Sequence, residues 1–337
     1  MSVATFLVLL AALILSSFIL LGVVAAVWWF DRYDREPLHL VAMEFLWGAT
    51  GAPLISVMVF TFVADLGGNV VPQDNLSLIG ISAFGPLVEE IAKGIGLVLV
   101  VLFSSKFDNP TDGVVYGTAV GLGFAVTENV IYGLGTGMNL DGPREILLLV
   151  GGRTLLSAGI HALCSATLGG FVGHALLSRK SIHRAAWSAG GLSVAVALHT
   201  AWNVALISAG IFSSDGSPRL WLVAVPLLYL FYAAILAAFL RSEHSIIKRQ
   251  LAEEVDLGVA PPWVLEVIPY YRRRVRGDWW PCRRERTVIA RLLTRVAFRK
   301  HALRHLPRDE ATIASLEVVQ LRKRVREILG STPEDLV

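Results

Sequence analysis

Ser82-Ala83-Phe84-Gly85-Pro86-Leu87-Val88-Glu89-Glu90-Ile91-Ala92-Lys93 sets two carboxylates and an ammonium near the middle of a run that is otherwise apolar from residue 79 to 103. An ionisable group at bilayer depth costs several kcal/mol, so such groups are paired, turned inward and functional. On a helix Glu89 and Lys93 fall one turn apart on one face, with Glu90 about 100° round from Glu89. Two adjacent carboxylates in a low-dielectric site disfavour a double negative charge, and a lysine can hold one of them as an anion. That arrangement prepares an acid and a base side by side.

Reading outward from this stretch, the rest of the chain matches a bilayer solvent. Of the 337 residues, 54% are hydrophobic and only 17% charged, too apolar for an ordinary soluble domain. About seven stretches approach the ~20 apolar residues a spanning helix needs: 3–30, 38–64, 79–103, 112–134, 146–178, 185–212 and 219–241. The first has no Lys or Arg before it and is too long for a signal-peptide core, so it reads as a retained helix. Short polar connectors carry the breaks, as in Asp108-Asn109-Pro110 and Ser213-Ser214-Asp215-Gly216-Ser217-Pro218. Arg32, Arg35, Lys106, Arg179, Lys180 and Arg184 follow alternate stretches, which predicts an outside N-terminus and a cytoplasmic C-terminus. The expected fold is an all-α polytopic membrane bundle over 1–241, followed by a helical basic tail over 242–337.

The net charge of +3 hides an asymmetry: 11 basic against 14 acidic residues precede Ser242, and 19 against 13 follow it. Two amphipathic helices are predicted near 283–305 and 309–329, the second with Ile313, Leu316, Val319 or Gln320, Val325 and Ile328 at helical spacing. Such a tail suits anionic lipid at a membrane surface or a partner protein. No nucleic-acid motif is present. Cys164 and Cys282 suggest neither a disulfide nor a thiolate metal cage, and Cys282, His301 and His305 read as a solvated basic face.

Further polar residues interrupt the middle stretches. Gly113, Gly117 and Gly121 form a small-residue stripe that admits a close neighbour, and the same face continues to Phe124 and Glu128, with Asn129 beside it. The next stretch carries His161, with Thr154, Ser157 and Ser165 on its side, and Arg153 near its outer end. That arginine either snorkels to the interface or turns inward. His199 and Asn203 lie one turn apart in the following stretch. Antiparallel order brings Glu89, Glu128, His161 and His199 to similar depth. A lone Asn129 or Ser157 is most simply an interhelical hydrogen bond, but a carboxylate pair is not needed as glue.

In order, Glu89-Glu90-x-x-Lys93, Phe124-x-x-x-Glu128-Asn129, His161 and His199-x-x-x-Asn203 resemble the PrsW family pattern. The flanking text also looks like that family, in Tyr33-Asp34-Arg35-Glu36-Pro37-Leu38 and Asp112-Gly113-Val114-Val115-Tyr116-Gly117. The resemblance covers about residues 28–212 and leaves the tail outside it. It implies a multi-pass protein of a bacterial-type cell membrane, related to type II CAAX prenyl proteases, with membrane-anchored anti-sigma factors in its substrate class. The implied reaction is peptide-bond hydrolysis: Glu89 as general base, Glu90 or His161 assisting, Glu128 orienting water or a histidine, and His199 and Asn203 donating to the oxyanion, with Asn129 and Lys93 in support. Metal-free glutamate chemistry is ranked first. Zinc held by His161, His199 and Glu89 or Glu128 is the alternative, although no His-Glu-x-x-His is present.

Two other classes use similar residues. An ion- or proton-coupled transporter also buries charge, but no internal repeat accompanies it here. A non-catalytic scaffold has no chemical need for the full carboxylate and histidine set.

Overall fold

The computed structural model describes residues 2–67, 83–104, 107, 109–135, 142–178, 180–208, 218–306 and 308–330. Ser82, Lys106, Asp108, Arg179 and the connector Ser213–Ser217 lie outside the described residues. Helices α1 (Val3–Phe30), α2 (Leu38–Ala49), α3 (Gly51–Gly67), α4 (Gly85–Phe103), α5 (Pro110–Gly135), α6 (Pro143–Gly152), α7 (Ala158–Leu176), α8 (Ser181–Ser208) and α9 (Pro218–Asp256) follow in order. Then come α10 (Val264–Val267), α11 (Tyr271–Arg276), α12 (Arg283–Leu303) and α13 (Arg308–Gly330), with no strand among the described residues.

Six helical stretches among the described residues are long and apolar enough to cross a membrane: Val3–Phe30, Leu38–Val63, Pro110–Gly135, Pro143–Leu176, Ser181–Ile207 and Pro226–Asp256. Helix α4, at the third of the expected positions, is 19 residues long and differs from these six in carrying three charged residues, Glu89, Glu90 and Lys93, within its apolar run. Large side chains such as Met58, Phe62, Leu102 and Phe103 point out of the bundle, as lipid contact requires.

The chain divides into two compact units. The first comprises residues 1–30, 36–175 and 185–235, with α5 at its centre, nearly all of it buried over the first four turns. Local sequence starts this helix sharply. The Asn109 side chain accepts the Thr111 and Asp112 amides at 2.8 and 3.1 Å, Asp112 accepts the Asn109 amide in return at 3.1 Å, and Pro110 occupies the first helical position. Gly113, Gly117 and Gly121 face the α7 backbone at Gly169, Ser165 and His161 so closely that a Cβ at any of them would overlap it. The predicted stripe therefore sets the α5–α7 distance, the close approach that small residues permit in membranes.

The second expected span is two helices. Pro53 has no N–H for the Ala49 carbonyl, the chain turns at Thr50, and the freed carbonyl accepts the Thr127 hydroxyl of α5 at 2.5 Å. Gly48 and Gly123 let α2 and α5 meet backbone to backbone at Val120 and Phe45.

The second unit comprises residues 31–35, 176–184 and 236–337. Ile247, Leu251, Val264, Ile268, Ile289, Leu293, Val296 and Val325 form its core with Tyr33, whose hydroxyl donates to the Pro269 carbonyl at 2.7 Å. Fully buried Glu254 binds Lys300 at 2.5 Å and Arg322 at 2.7 Å. The stripe predicted for α13 is split: Val325 packs inward beside Ala314 and Val318, whereas Ile313, Leu316 and Val319 are about 60% exposed. Their spacing fits one broad apolar face, but α12 covers only one side of it.

Candidate active site

The first unit brings Glu89 and Glu90 of α4, Glu128 of α5, His161 of α7 and His199 of α8 into one cluster. Glu90 and Lys93 are both fully buried and pair at 2.7 Å. The sequence left open which carboxylate the lysine holds: positions three and four residues apart share a helix face, and the lysine turns to the carboxylate inside the bundle. Glu90 also accepts His199 Nδ1 at 2.9 Å and the Ser165 hydroxyl at 3.5 Å. A buried anion thus has three donors, which removes most of the penalty of taking it out of water.

Glu89, one residue on, points elsewhere. Its Oε2 is buried with no hydrogen-bond partner and lies 3.8 Å from His199 Nε2. In the neutral tautomer that gives its Nδ1 proton to Glu90, His199 turns the Nε2 lone pair towards Glu89. His161 is fixed in the opposite sense: Lys93 Nζ donates to Nδ1 at 3.0 Å and Nε2 donates to Glu128 Oε2 at 2.5 Å. Phe124 walls this corner, its ring centroid 4.3 Å from Lys93 Nζ and 5.2 Å from the His161 ring. The two imidazoles stand edge to face at 4.9 Å.

Glu128 receives a second cation, Arg153 Nη2 at 2.8 Å, so the arginine turns inward and does not snorkel. Asn129 is buried, as an interhelical hydrogen-bonding residue would be. Its Oδ1 accepts Arg153 Nε at 3.2 Å and its Nδ2 donates to Ser16 of α1 at 3.1 Å and Thr154 at 3.3 Å. Asn203 is half-buried one turn beyond His199. Of the residues expected on the His161 side, Ser165 reaches Glu90, whereas Thr154 turns to Ser16 at 2.7 Å. Sequence reasoning missed Ser16, one of two adjacent serines in the most apolar helix. Its only signal was that a serine has no reason to face lipid.

The donor set suits a divalent cation. One ligand atom each from Glu89, His161 and His199 lies within 4.8 Å of the others. Tetrahedral zinc, about 2.0–2.2 Å from nitrogen and oxygen ligands, needs donors roughly 3.3–3.6 Å apart, close to the Glu89–His199 separation. The orphaned Glu89 oxygen and the outward bond from His199 to Glu90 match the way metal-binding imidazoles are oriented, whereas the His161 Nδ1 lone pair already accepts from Lys93 and would have to be released before it could bind a cation.

The family model described as PrsW family intramembrane metalloprotease matches residues 36–238. Protease PrsW of Bacillus subtilis (strain 168) is 32% identical over 177 residues, 52% of this chain and 73% of that protein. Protease PrsW of Geobacillus kaustophilus is 30% identical over 158 residues, 47% and 64% respectively. That of Shouchella clausii is 27% identical over 180 residues, 53% and 76%. No solved structure matches the chain. The match over well more than half of the sequence, running through every element that contributes to the cluster, means that this integral membrane protein belongs to the PrsW family of intramembrane proteases and is an endopeptidase.

Proposed function

We propose that the Glu89–His161–His199 cluster is the hydrolytic centre, and that it cuts a membrane-anchored protein of the anti-sigma-factor type by direct attack of water. The observation that carries the reading is the Glu89 Oε2, buried and unpartnered 3.8 Å from the lone-pair nitrogen of His199. Glu90 is held through both of its oxygens by Lys93, His199 and Ser165, and Glu128 is held through Oε2 by Arg153 and His161. Glu89 is thus the group left to accept a proton.

In the reaction water adds its oxygen to the scissile carbonyl carbon while its proton passes to Glu89. As the tetrahedral adduct collapses the C–N bond breaks, and Glu89 returns the proton to the leaving amine. Asn203, one turn from His199, is assigned to the oxyanion. Lys93 holds Glu90, and through it His199, in a fixed geometry. A zinc-like cation would be held by Glu89 and His199, joined by His161 once Lys93 released its Nδ1, and would supply a Lewis acid that polarises the carbonyl and acidifies water, with the second Glu89 oxygen left to take the proton. We favour this metal-supported form over the glutamate-only scheme, a preference supported by the Glu89–His199 spacing. Family membership removes the transporter and scaffold alternatives. We assign the basic second unit to the cytoplasm, within reach of anionic lipid, and the N-terminus to the outside.

The test is cleavage of candidate single-span proteins by the full chain in liposomes. Glu89→Gln, at equal abundance, lowers kcat by roughly 10²–10⁴-fold, the range for losing a general base. A chelator stops cleavage and zinc restores it. Undiminished cleavage under the chelator would return the mechanism to glutamate alone, and undiminished cleavage by Glu89→Gln removes Glu89 from it.

A further inference from the structure

Between α6 and α7 the chain makes a single widened turn, Arg153–Ser157, in which the Ala158 amide bonds the Arg153 carbonyl five residues back. Such a turn inserts one residue into a helix and shifts the register of what precedes it by about 100°. In an uninterrupted helix Arg153 and His161, eight residues apart, would diverge by about 80°. With one residue inserted they behave as if seven apart, about 20° from alignment, and share a face. The observed contacts agree. Arg153 Nη2 and His161 Nε2 both reach the same oxygen, Glu128 Oε2, at 2.8 and 2.5 Å.

The turn is supported from outside the cluster. Tyr229 of α9 donates its hydroxyl to the Leu155 carbonyl at 2.9 Å. The guanidinium is held on two further sides: Asn129, itself tied to Ser16 and Thr154, accepts from Nε, and the Tyr132 ring centroid lies 3.8 Å from the guanidinium carbon. Arg153 touches neither Glu89 nor His199 in this set. Its reach into the centre runs through Glu128 alone.

We propose that Arg153, delivered by the widened turn, is a positioning residue of the hydrolytic centre, clamping Glu128 so that Glu128 holds the His161 ring in the orientation the centre needs. A planar fork suits this task, because it forms an ion pair with Glu128 and donates to Asn129 at once while lying over Tyr132. A lysine supplies the charge but only a point donor. The inference rests on the assignment of His161 to the hydrolytic centre, and it adds an element that controls that centre.

The experiment compares the full-length protein in liposomes with Arg153→Gln, Arg153→Lys and Tyr229→Phe, reading kcat and KM on a cleaved single-span substrate. In parallel, zinc retained per chain is measured after dialysis against graded zinc buffers, with His199→Gln as the reference for a broken centre. Loss of a partner that orients a ligand costs 10–100-fold in activity or metal affinity. Arg153→Gln is therefore expected to lower kcat by about 10–100-fold, with KM within about twofold, and to weaken zinc retention by a similar factor. Arg153→Lys recovers part of both. Tyr229→Phe, which leaves the cluster intact and only unsupports the turn, moves kcat and zinc retention the same way by a smaller factor. It also carries the test if Arg153→Gln does not fold.

Unchanged kcat in Arg153→Gln, or a rise in KM alone, overturns the inference, the latter by making Arg153 a substrate contact. Wild-type kcat and zinc retention in Tyr229→Phe overturns the role of the widened turn. If wild type retains no more zinc than His199→Gln, the metal-supported reading fails, and the kcat and KM comparison still decides for or against Arg153.

Discussion

Lys93→Met is the sharpest perturbation of the cluster's foundations. The ammonium is fully buried, bonds Glu90 at 2.7 Å and His161 at 3.0 Å, and lies 4.3 Å from the Phe124 centroid. Methionine preserves most of the volume, so little of the effect comes from a cavity. What changes is that Glu90 loses one of two cationic or strongly polar partners, keeping His199 and a long bond from Ser165. Breaking a buried pair by removing one member costs about 3–5 kcal/mol, whereas removing both members with shape preserved is often close to neutral. Lys93→Met alone should therefore destabilise the bundle by about 3 kcal/mol or more, and Lys93→Met with Glu90→Gln should recover at least about half of that loss. The assay is reversible unfolding in mixed micelles, run as a double-mutant cycle over the four proteins. Additive costs for the two single changes would refute the reasoning, since they would mean that Glu90 does not depend on Lys93 for its burial.

Gly121→Ala places a methyl group against the His161 carbonyl, forcing α5 and α7 apart, with an expected cost of about 1–3 kcal/mol and a matching loss of cleavage. Comparison with Gly22→Ala, which meets nothing within 4 Å, controls for glycine content. In the second unit Arg322→Ala leaves buried Glu254 with Lys300 alone and should loosen α13 from α9 by about 1–3 kcal/mol, read as faster amide exchange across Arg308–Gly330. Burial, with His305, Arg249 and Arg304 nearby, pushes His301 down from 6.5 to about 4. Its neutral form is thus favoured in the fold, and the stability it contributes is complete above about pH 6.5 and is lost as the pH falls towards 4. Because the ring is only partly buried, the loss is about 1 kcal/mol after solvent screening. His301→Asn should flatten the pH dependence of exchange in the second unit between pH 4 and 6.5; an unchanged slope contradicts the assignment.

The residues that cluster in the first unit were readable from the chain because the bilayer makes each of them anomalous. Glu89, Glu90, Lys93, Glu128, His161 and His199 stand out wherever apolar runs should be unbroken, and the Gly113–Gly117–Gly121 spacing foretold which face of α5 meets α7. What each does to its neighbours was not legible. Glu90 rather than Glu89 takes Lys93, because both positions lie within a lysine's reach and only packing decides which carboxylate is inside. Arg153 was ambiguous for a related reason: regular 3.6-residue periodicity points it about 80° away from His161, and a one-residue widening that no local sequence signal announces turns it back. The stripe of α13 was legible as an apolar face, but periodicity does not say which part of it a neighbour covers. Local sequence thus determined that helices span a membrane and that their polar residues converge. Tertiary structure alone chose the pairings, because partners three, four or eight residues apart are separated by single turns of helix, and the energy that selects among them comes from other chain segments.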